Sequence, residues 1–206
     1  MQIELKYGCN PHQTPARVRF DGEPCPLQVL NGTPSYINLL DALGAWQLVR
    51  DLRRATGLPS AASFKHVSPA GAAVARPLTD AFRRSQMLGQ IELSPVATAY
   101  ARARGSDRMS SFGDAVAVSE TVDVSLARLL AREVSDLIIA PGYEPEALEI
   151  LKRKRSGGYR VFQIDPDYEP PEMERRTVFG FTLEQKRNTA RVDADLFKNV
   201  VTSKKA

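Results

Sequence analysis

Apolar residues recur along this chain with two periods, and the alternation between them predicts its elements. Short runs such as VRF and LQVL near the start read as strands, with turns at Asp21-Gly22 and Asn31-Gly32. In YINLLDALGAWQLVRDLRRATG the positions Leu39, Leu40, Leu43, Trp46, Val49 and Leu52 fall near helical spacing. Ser35 stands where that helix needs a cap at its start, and Gly57 where it needs one at its end. AASFKH predicts a short strand. Thr79 opens a second helix through Leu88, and SPVATAYARARG predicts a third, with Ser94 as cap and Pro95 in the first turn. Further on, AVAVS, DLIIA and VFQID predict strands, and VSLARLLAREV and PEALEILKRKRSGG predict helices, the latter ended by glycine. The acidic, proline-containing segment Asp165–Glu174 is read as a surface loop, with a subdomain boundary as the alternative. TVFGFTLEQKRN begins as a strand, DADLFKNVV is a last short helix, and VVTSKKA is a polar, frayed end. Strand and helix patterns alternate through the middle, which predicts an α/β sandwich around a mixed, mainly parallel sheet.

Composition narrows the class. The 206 residues are 43% hydrophobic and 25% charged, ordinary for a globular protein and enough for one large domain or two small ones. No run of about 18 apolar residues is present, so no membrane span is expected. The start, MQIELKYGCNPHQ, lacks the basic and apolar regions of a secretory signal. Cys9 and Cys25 form no CxxC and are read as free thiols of a cytoplasmic protein, a single disulfide being the alternative. Only His12 and His66 join them, which is too few ligands at the wrong spacing for structural zinc, so no metal is expected. The net charge is +4, but the basic residues are scattered. The densest run, Lys152 to Arg155, ends a predicted helix, where the helix dipole favours cations; it is read as a solvated helix end and not as a nucleic-acid surface. A mildly basic protein suits small anionic substrates such as phosphates and folates.

The common signatures of phosphate loops, dinucleotide folds, serine hydrolases and zinc proteases are absent. What remains is a set of polar strings in predicted loops and strand ends: LKYGCNPHQTP, LNGTPSYINLLDAL, ASFKHVSPAGAAV, ARARGSDRMSSFGD and REVSDLIIAPGYEPEAL. In order and spacing, from about Leu5 to about Ser203, they resemble the AICAR transformylase domain of the bifunctional purine-biosynthesis protein family. That resemblance implies a cytidine-deaminase-like α/β/α fold without the deaminase zinc. It also implies formyl transfer from the cosubstrate 10-formyltetrahydrofolate to the 5-amino group of AICAR, giving formyl-AICAR. Against the family's pattern the chain begins where the transformylase begins and covers about half of that region. It therefore reads as a fragment, a truncated product or one half of a split enzyme. The expected partner is a second copy in a homodimer, or a complementary second-half chain. A non-catalytic nucleotide-binding or assembly module is the rival reading.

The resemblance also implies roles for particular residues. Lys65 and His66 match the catalytic pair. The AICAR amine is conjugated to its ring and weakly nucleophilic, so a base must take its proton during attack, and histidine titrates near working pH. A cation must stabilise the developing oxyanion or the leaving folate nitrogen, which lysine can do. Both side chains reach one ligand only if the strand ends or bends there, and Pro69 and Gly71 are read as making that bend. Lys6 and Tyr7 match a pair that contacts AICAR; lysine here keeps a charge but loses the bidentate fork of the arginine the family often carries. Asn38 matches another AICAR-side position. Gly113 matches a glycine whose backbone lies beside the nucleotide, and Asp136 matches an AICAR-binding carboxylate, expected on the ribose hydroxyls. Met109, Ser110 and Phe112 match the segment flanking the folate, with core packing as their alternative. His12 is read as structural. Arg102, Arg104 and Arg108 are read either as attracting the folate tail or as a solvated helix face.

Overall fold

The computed structural model describes residues 1–190, 192–198 and 201. They fall into two compact units, Met1–Asp165 and Pro166–Ala206, divided at the start of the acidic, proline-containing segment. In the first unit the elements follow the order β1 (Gln2–Leu5), β2 (Ala16–Arg19), β3 (Leu27–Asn31), α1 (Tyr36–Thr56), β4 (Ser60–Lys65), β5 (Ser68–Val74), α2 (Asp80–Ser85), α3 (Pro95–Ser106), β6 (Asp114–Val118), α4 (Val124–Arg132), β7 (Ser135–Ala140), α5 (Pro145–Arg153) and β8 (Arg160–Ile164). A 3₁₀ turn, Lys154–Gly157, follows α5.

Local chemistry sets the helix ends. At α1, Ser35 and Asn38 form a reciprocal capping box, and Gly57 closes the other end in the left-handed conformation, its N–H bonded to the Arg53 carbonyl. Ser94 caps α3 ahead of Pro95, and Asp123 caps α4. The second helix is shorter than its sequence predicts: Thr79 caps it, but it ends at Ser85 and Met87 turns left-handed at φ 55°.

Six strands form one sheet in the order β3-β8-β7-β6-β4-β5. The sheet is mixed. β6, β7 and β8 run parallel in its middle, and β3, β4 and β5 pair antiparallel on its flanks. Alternation along the buried strands makes two cores. Leu137 and Ile139 face one way with Ala115, Ala117, Phe64 and Phe162, against Leu39, Ala42, Ala45, Trp46 and Val49 of α1. Ile138 and Ala140 face the other way with Val116 and Val118, against α3, α4 and α5. One helix on one face and three on the other make an α/β/α sandwich. The fit of α3 on the sheet edge depends on Gly71, where a Cβ would stand 2.1 Å from the Ala103 carbonyl oxygen. Gly71 is therefore a packing residue inside β5; a bulge does fall between Pro69 and Gly71, opposite Ser63 and Phe64, but the chain reversal lies closer to Lys65.

β1 and β2 form a separate antiparallel pair. In the second unit, β9 (Met173–Val178) and β10 (Phe181–Lys186) form a hairpin through Phe179-Gly180, and Ala194–Lys198 makes a 3₁₀ turn. One hairpin face carries Val178 opposite Phe181 and Arg176 opposite Leu183; the other carries paired threonines and the Arg175–Glu184 ion pair. Both strands are exposed throughout. Asn199 and Val200 of the predicted last helix, and the polar end beyond Val201, lie outside the described residues. Cys9 and Cys25 are free. Among the described residues no helix is long and apolar enough to cross a membrane.

Candidate active site

The β4–β5 hairpin creates the site's main feature. Lys65 pairs with Ser68, so His66 and Val67 form a two-residue loop between them. Both are left-handed, at φ 53° and 62°. The strand does end where Lys65 and His66 need it to, but the turn lies in His66-Val67 themselves; Pro69 and Gly71 belong to the returning strand. The Val67 N–H donates to Asp41 Oδ1 at 2.6 Å, tying the turn to α1. Asp41 is only 8% exposed. Burial pushes its carboxyl above the usual aspartate range, opposed by the Val67 N–H and by the charge and backbone of His66.

Lys65 meets the loop between α3 and β6. Its Nζ donates to the Phe112 carbonyl. Gly113 follows at φ 74°, a conformation that favours glycine, and its N–H donates to the Val134 carbonyl at 2.9 Å. A Cβ on Gly113 would stand 3.2 Å from Lys65 Nζ and 3.9 Å from Asp136 Oδ1. Lys65, Gly113 and Asp136 thus surround one point, with a cation, an anion and bare backbone facing it. Asp136 is paired with Arg155, whose own backbone and that of Ser156 are left-handed.

A buried polar network holds this loop from beneath. Ser63 Oγ donates 2.7 Å to Asp114 Oδ2 and lies 2.8 Å from Ser111 Oγ. Arg104 donates to the Ser111 carbonyl at 2.7 Å and lies 3.1 Å from Asp114 Oδ1 and 3.1 Å from Glu133 Oε2. The two 3.1 Å contacts are charge contacts without hydrogen-bond alignment, since Arg104 Nε and Asp114 Oδ1 find no hydrogen-bonding partner. Asp114 is fully buried, which raises its pKa, and Arg104 opposes that rise. Arg108 pairs with Glu133 at 2.9 Å. Arg104 is therefore neither a solvated helix residue nor free to attract a folate tail; it pins the loop to α3 and to the Glu133-Val134 segment before β7. The basic run is likewise not simply a solvated helix end. Lys154 donates to the Glu133 carbonyl with its Nζ 5.4 Å from the Tyr159 ring centre, and Arg155 reaches Asp136.

The remaining predicted residues lie on other segments. Asn38 is buried in the first turn of α1, its Oδ1 used by Ser35 in the capping box at 3.0 and 2.9 Å. Lys6 and Tyr7 are tied to the same helix start: the Lys6 N–H donates to the Pro34 carbonyl and the Tyr36 N–H to that of Tyr7, each at 3.2 Å. Lys6 Nζ lies 5.8 Å from the Tyr7 ring centre. Among the described residues no hydrogen bond or ion pair joins these two side chains to Lys65. Met109, Ser110 and Phe112 are exposed, Met109 at 90% and Phe112 at 61%, so they are not core packing. Ser110 is held by Asp107, through N–H at 2.9 Å and Oγ at 2.6 Å. His12 is exposed and contributes its carbonyl to the Thr14 N–H at 3.1 Å.

Asp41 and Arg155 are the two residues that sequence reasoning misses. Asp41 carried a signal: it stands three residues after Asn38, so both polar groups interrupt the apolar stripe of α1. Arg155 carried none, because its contact depends on a left-handed turn after α5.

Comparisons with known proteins agree over the whole length. The family described as AICARFT/IMPCHase bienzyme matches residues 1–206. The chain is similar to the bifunctional purine biosynthesis protein PurH of Roseobacter denitrificans, 32% identical over 203 residues, covering 95% of this chain and 34% of the relative. It is also similar to that of a Thermoanaerobacter species, 32% identical over 208 residues, covering 98% and 35%. The chain spans about a third of the length of these relatives.

Proposed function

This chain belongs to the AICARFT/IMPCHase bienzyme family, and on that premise we propose that it forms the AICAR side of a formyltransferase site, acting with 10-formyltetrahydrofolate in purine (IMP) biosynthesis. The observation that carries this reading is the convergence of Lys65, Gly113 and Asp136 on one point, with His66 in the adjoining turn.

In the proposed reaction the AICAR amine attacks the formyl carbon, a C–N bond forms, and the bond from that carbon to the folate nitrogen breaks. His66 takes the amine proton as attack proceeds, because the amine becomes acidic only as its lone pair is used. Lys65 faces the charge that develops on the formyl oxygen or on the departing nitrogen, which finally carries a proton. Asp136 receives ribose hydroxyls, and the bare backbone at Gly113 lets the nucleotide approach. Lys6, Tyr7 and Asn38, gathered at the start of α1, complete the AICAR side. The exposed Met109 and Phe112 present apolar surface on the loop that reaches Lys65, suited to one face of a pterin ring; Ser110 lies between them.

Calorimetry with AICAR tests the binding half. The chain is expected to bind weakly, and Asp136→Asn and Lys6→Met are each expected to weaken binding by roughly 10–100-fold, the effect of losing one charge-assisted contact. Wild-type affinity in both variants would refute the placement.

The rival reading, a non-catalytic nucleotide-binding or assembly module, has one observation in its favour: Lys65 and Asp136 already hold partners, Phe112 and Arg155. It predicts AICAR binding without transfer even when the remainder found in the relatives is supplied. Either reading calls for a partner, a second copy or a chain carrying that remainder. The β9–β10 hairpin leaves Val178, Phe181 and Leu183 uncovered. Light scattering is expected to give a mass above that of one chain, and a clean monomer at high concentration would count against self-association.

A further inference from the structure

The His66–Val67 turn is built from residues that resist its shape. Two-residue hairpin loops with positive φ at both positions are ordinarily Asn-Gly or Gly-Gly, because a Cβ crowds the left-handed conformation and a β-branched side chain crowds it most. Here a histidine takes φ 53° and a valine φ 62°. Strain of this kind persists only where the surroundings over-determine it. β5 is the last strand of the sheet, so no further strand braces the hairpin on that side.

The brace comes from α1. Asp41 Oδ1 accepts the Val67 N–H at 2.6 Å, and the His66 backbone also stabilises the ionised carboxylate. α1 is itself fixed by its capping box, one turn away at Ser35 and Asn38. An apolar side chain at position 41 would continue the buried stripe of Leu39, Ala42 and Ala45 without the cost of burying a charge. Packing therefore does not account for the carboxylate, whereas holding the turn does.

We propose that Asp41 is a positioning residue for His66: its carboxylate holds the left-handed turn that sets where the imidazole stands relative to Lys65, and its charge faces the imidazolium that forms when His66 takes a proton. Asp41 itself keeps no proton in this scheme. The proposal rests on the reading of His66 as the base of formyl transfer.

The test uses Asp41→Ala, Asp41→Asn and the double variant Asp41→Ala/Val67→Gly in the full chain. In ¹⁵N-labelled protein the His66 and Val67 amides are expected to shift in Asp41→Ala and to lose at least ~10-fold in hydrogen-exchange protection, while the middle of β4 is unchanged. Val67→Gly is expected to recover the turn, because glycine adopts positive φ without strain. In transfer assays with the remainder of the enzyme supplied, Asp41→Ala should lower kcat by roughly 10–100-fold, leave the KM for AICAR within about twofold, and add nothing in a His66→Ala background. The proposal is overturned by turn amides that do not move, by a loss confined to KM, or by an equal further loss in His66→Ala. If Asp41→Ala does not fold, Asp41→Leu, which also lacks an acceptor for the Val67 N–H, carries the same comparison; Asp41→Asn, whose amide oxygen can still accept that N–H, should keep the turn amides in place and lose only the charge facing the imidazolium. If the wild type transfers no formyl group, the formyl-transfer reading fails, and the amide measurement still decides whether Asp41 holds the turn.

Discussion

Replacing His66 by alanine is expected to reduce formyl transfer by about 10²–10⁴-fold, with AICAR affinity largely kept, when the chain is assayed together with the remainder its relatives carry. The reason lies in what each group does. The amine must lose a proton during attack, and His66, in the turn beside Lys65, is the residue proposed to take it. In the proposed site affinity comes instead from the AICAR-side residues such as Asp136 and Lys6, which the substitution leaves in place. The chain assayed alone is expected to show little or no transfer. Holding donor and acceptor in attack geometry is worth roughly 7–11 kcal/mol when complete. The chain spans about a third of its relatives, and the folate contacts proposed here rest on the exposed Met109, Ser110 and Phe112 alone. Three samples decide the matter: the chain alone, the chain with the remainder in cis or in trans, and that mixture carrying His66→Ala. Robust turnover by the chain alone would refute the half-site argument. Wild-type turnover by the His66→Ala mixture would refute the base.

The largest stability loss is expected from Arg104→Met. Arg104 and Asp114 are 4% and 0% exposed, and the arginine also meets Glu133 and the Ser111 carbonyl. Removing one partner of a buried pair strands the other charge, at a cost of about 3–5 kcal/mol. For a unit of this size that is a fall in Tm of roughly 6–20 °C. Asp114→Asn should cost less, because Arg104 keeps Glu133. The pH signature has a definite sign. Burial already raises the Asp114 pKa in the folded chain, and losing Arg104 raises it further. A carboxyl whose folded pKa lies above its unfolded value binds its proton more tightly in the native state, so stability is greatest below the unfolded value of 3.8 and is lost as pH rises through the folded pKa. The melting temperature of Arg104→Met relative to wild type should therefore recover as pH falls toward that value, and adding Asp114→Asn should remove most of the dependence. A deficit that is independent of pH would refute the stranded-charge explanation.

How much of this was legible in the order of residues can be judged element by element. The capped helices α1 and α3 were readable because their signals are local: Ser35 and Gly57, and Ser94 with Pro95, act within a few residues of themselves. The strands AVAVS and DLIIA were readable because runs buried on both faces are apolar throughout, and alternation with helices then implied the layered sandwich. The family was readable too, because the strings around Lys65, Gly113 and Asp136 are long and specific in combination. What the sequence could not determine is how those strings meet. Lys65, Gly113 and Asp136 lie on three segments, and only strand order and register bring a cation and a carboxylate around the same bare glycine. Nor could it show that the Lys65–His66 bend sits at His66-Val67, since local propensity disfavours both residues there and the turn's bond to a carboxylate of α1 is a long-range contact. Arg104 looked like one more cation on a polar helix because its helical spacing was visible and its burial was not. Position along the chain dictates period, cap and charge; burial and long-range partners, which decide whether a charge is solvated surface, a loop anchor or a brace for a proposed base, exist only once the sheet has formed.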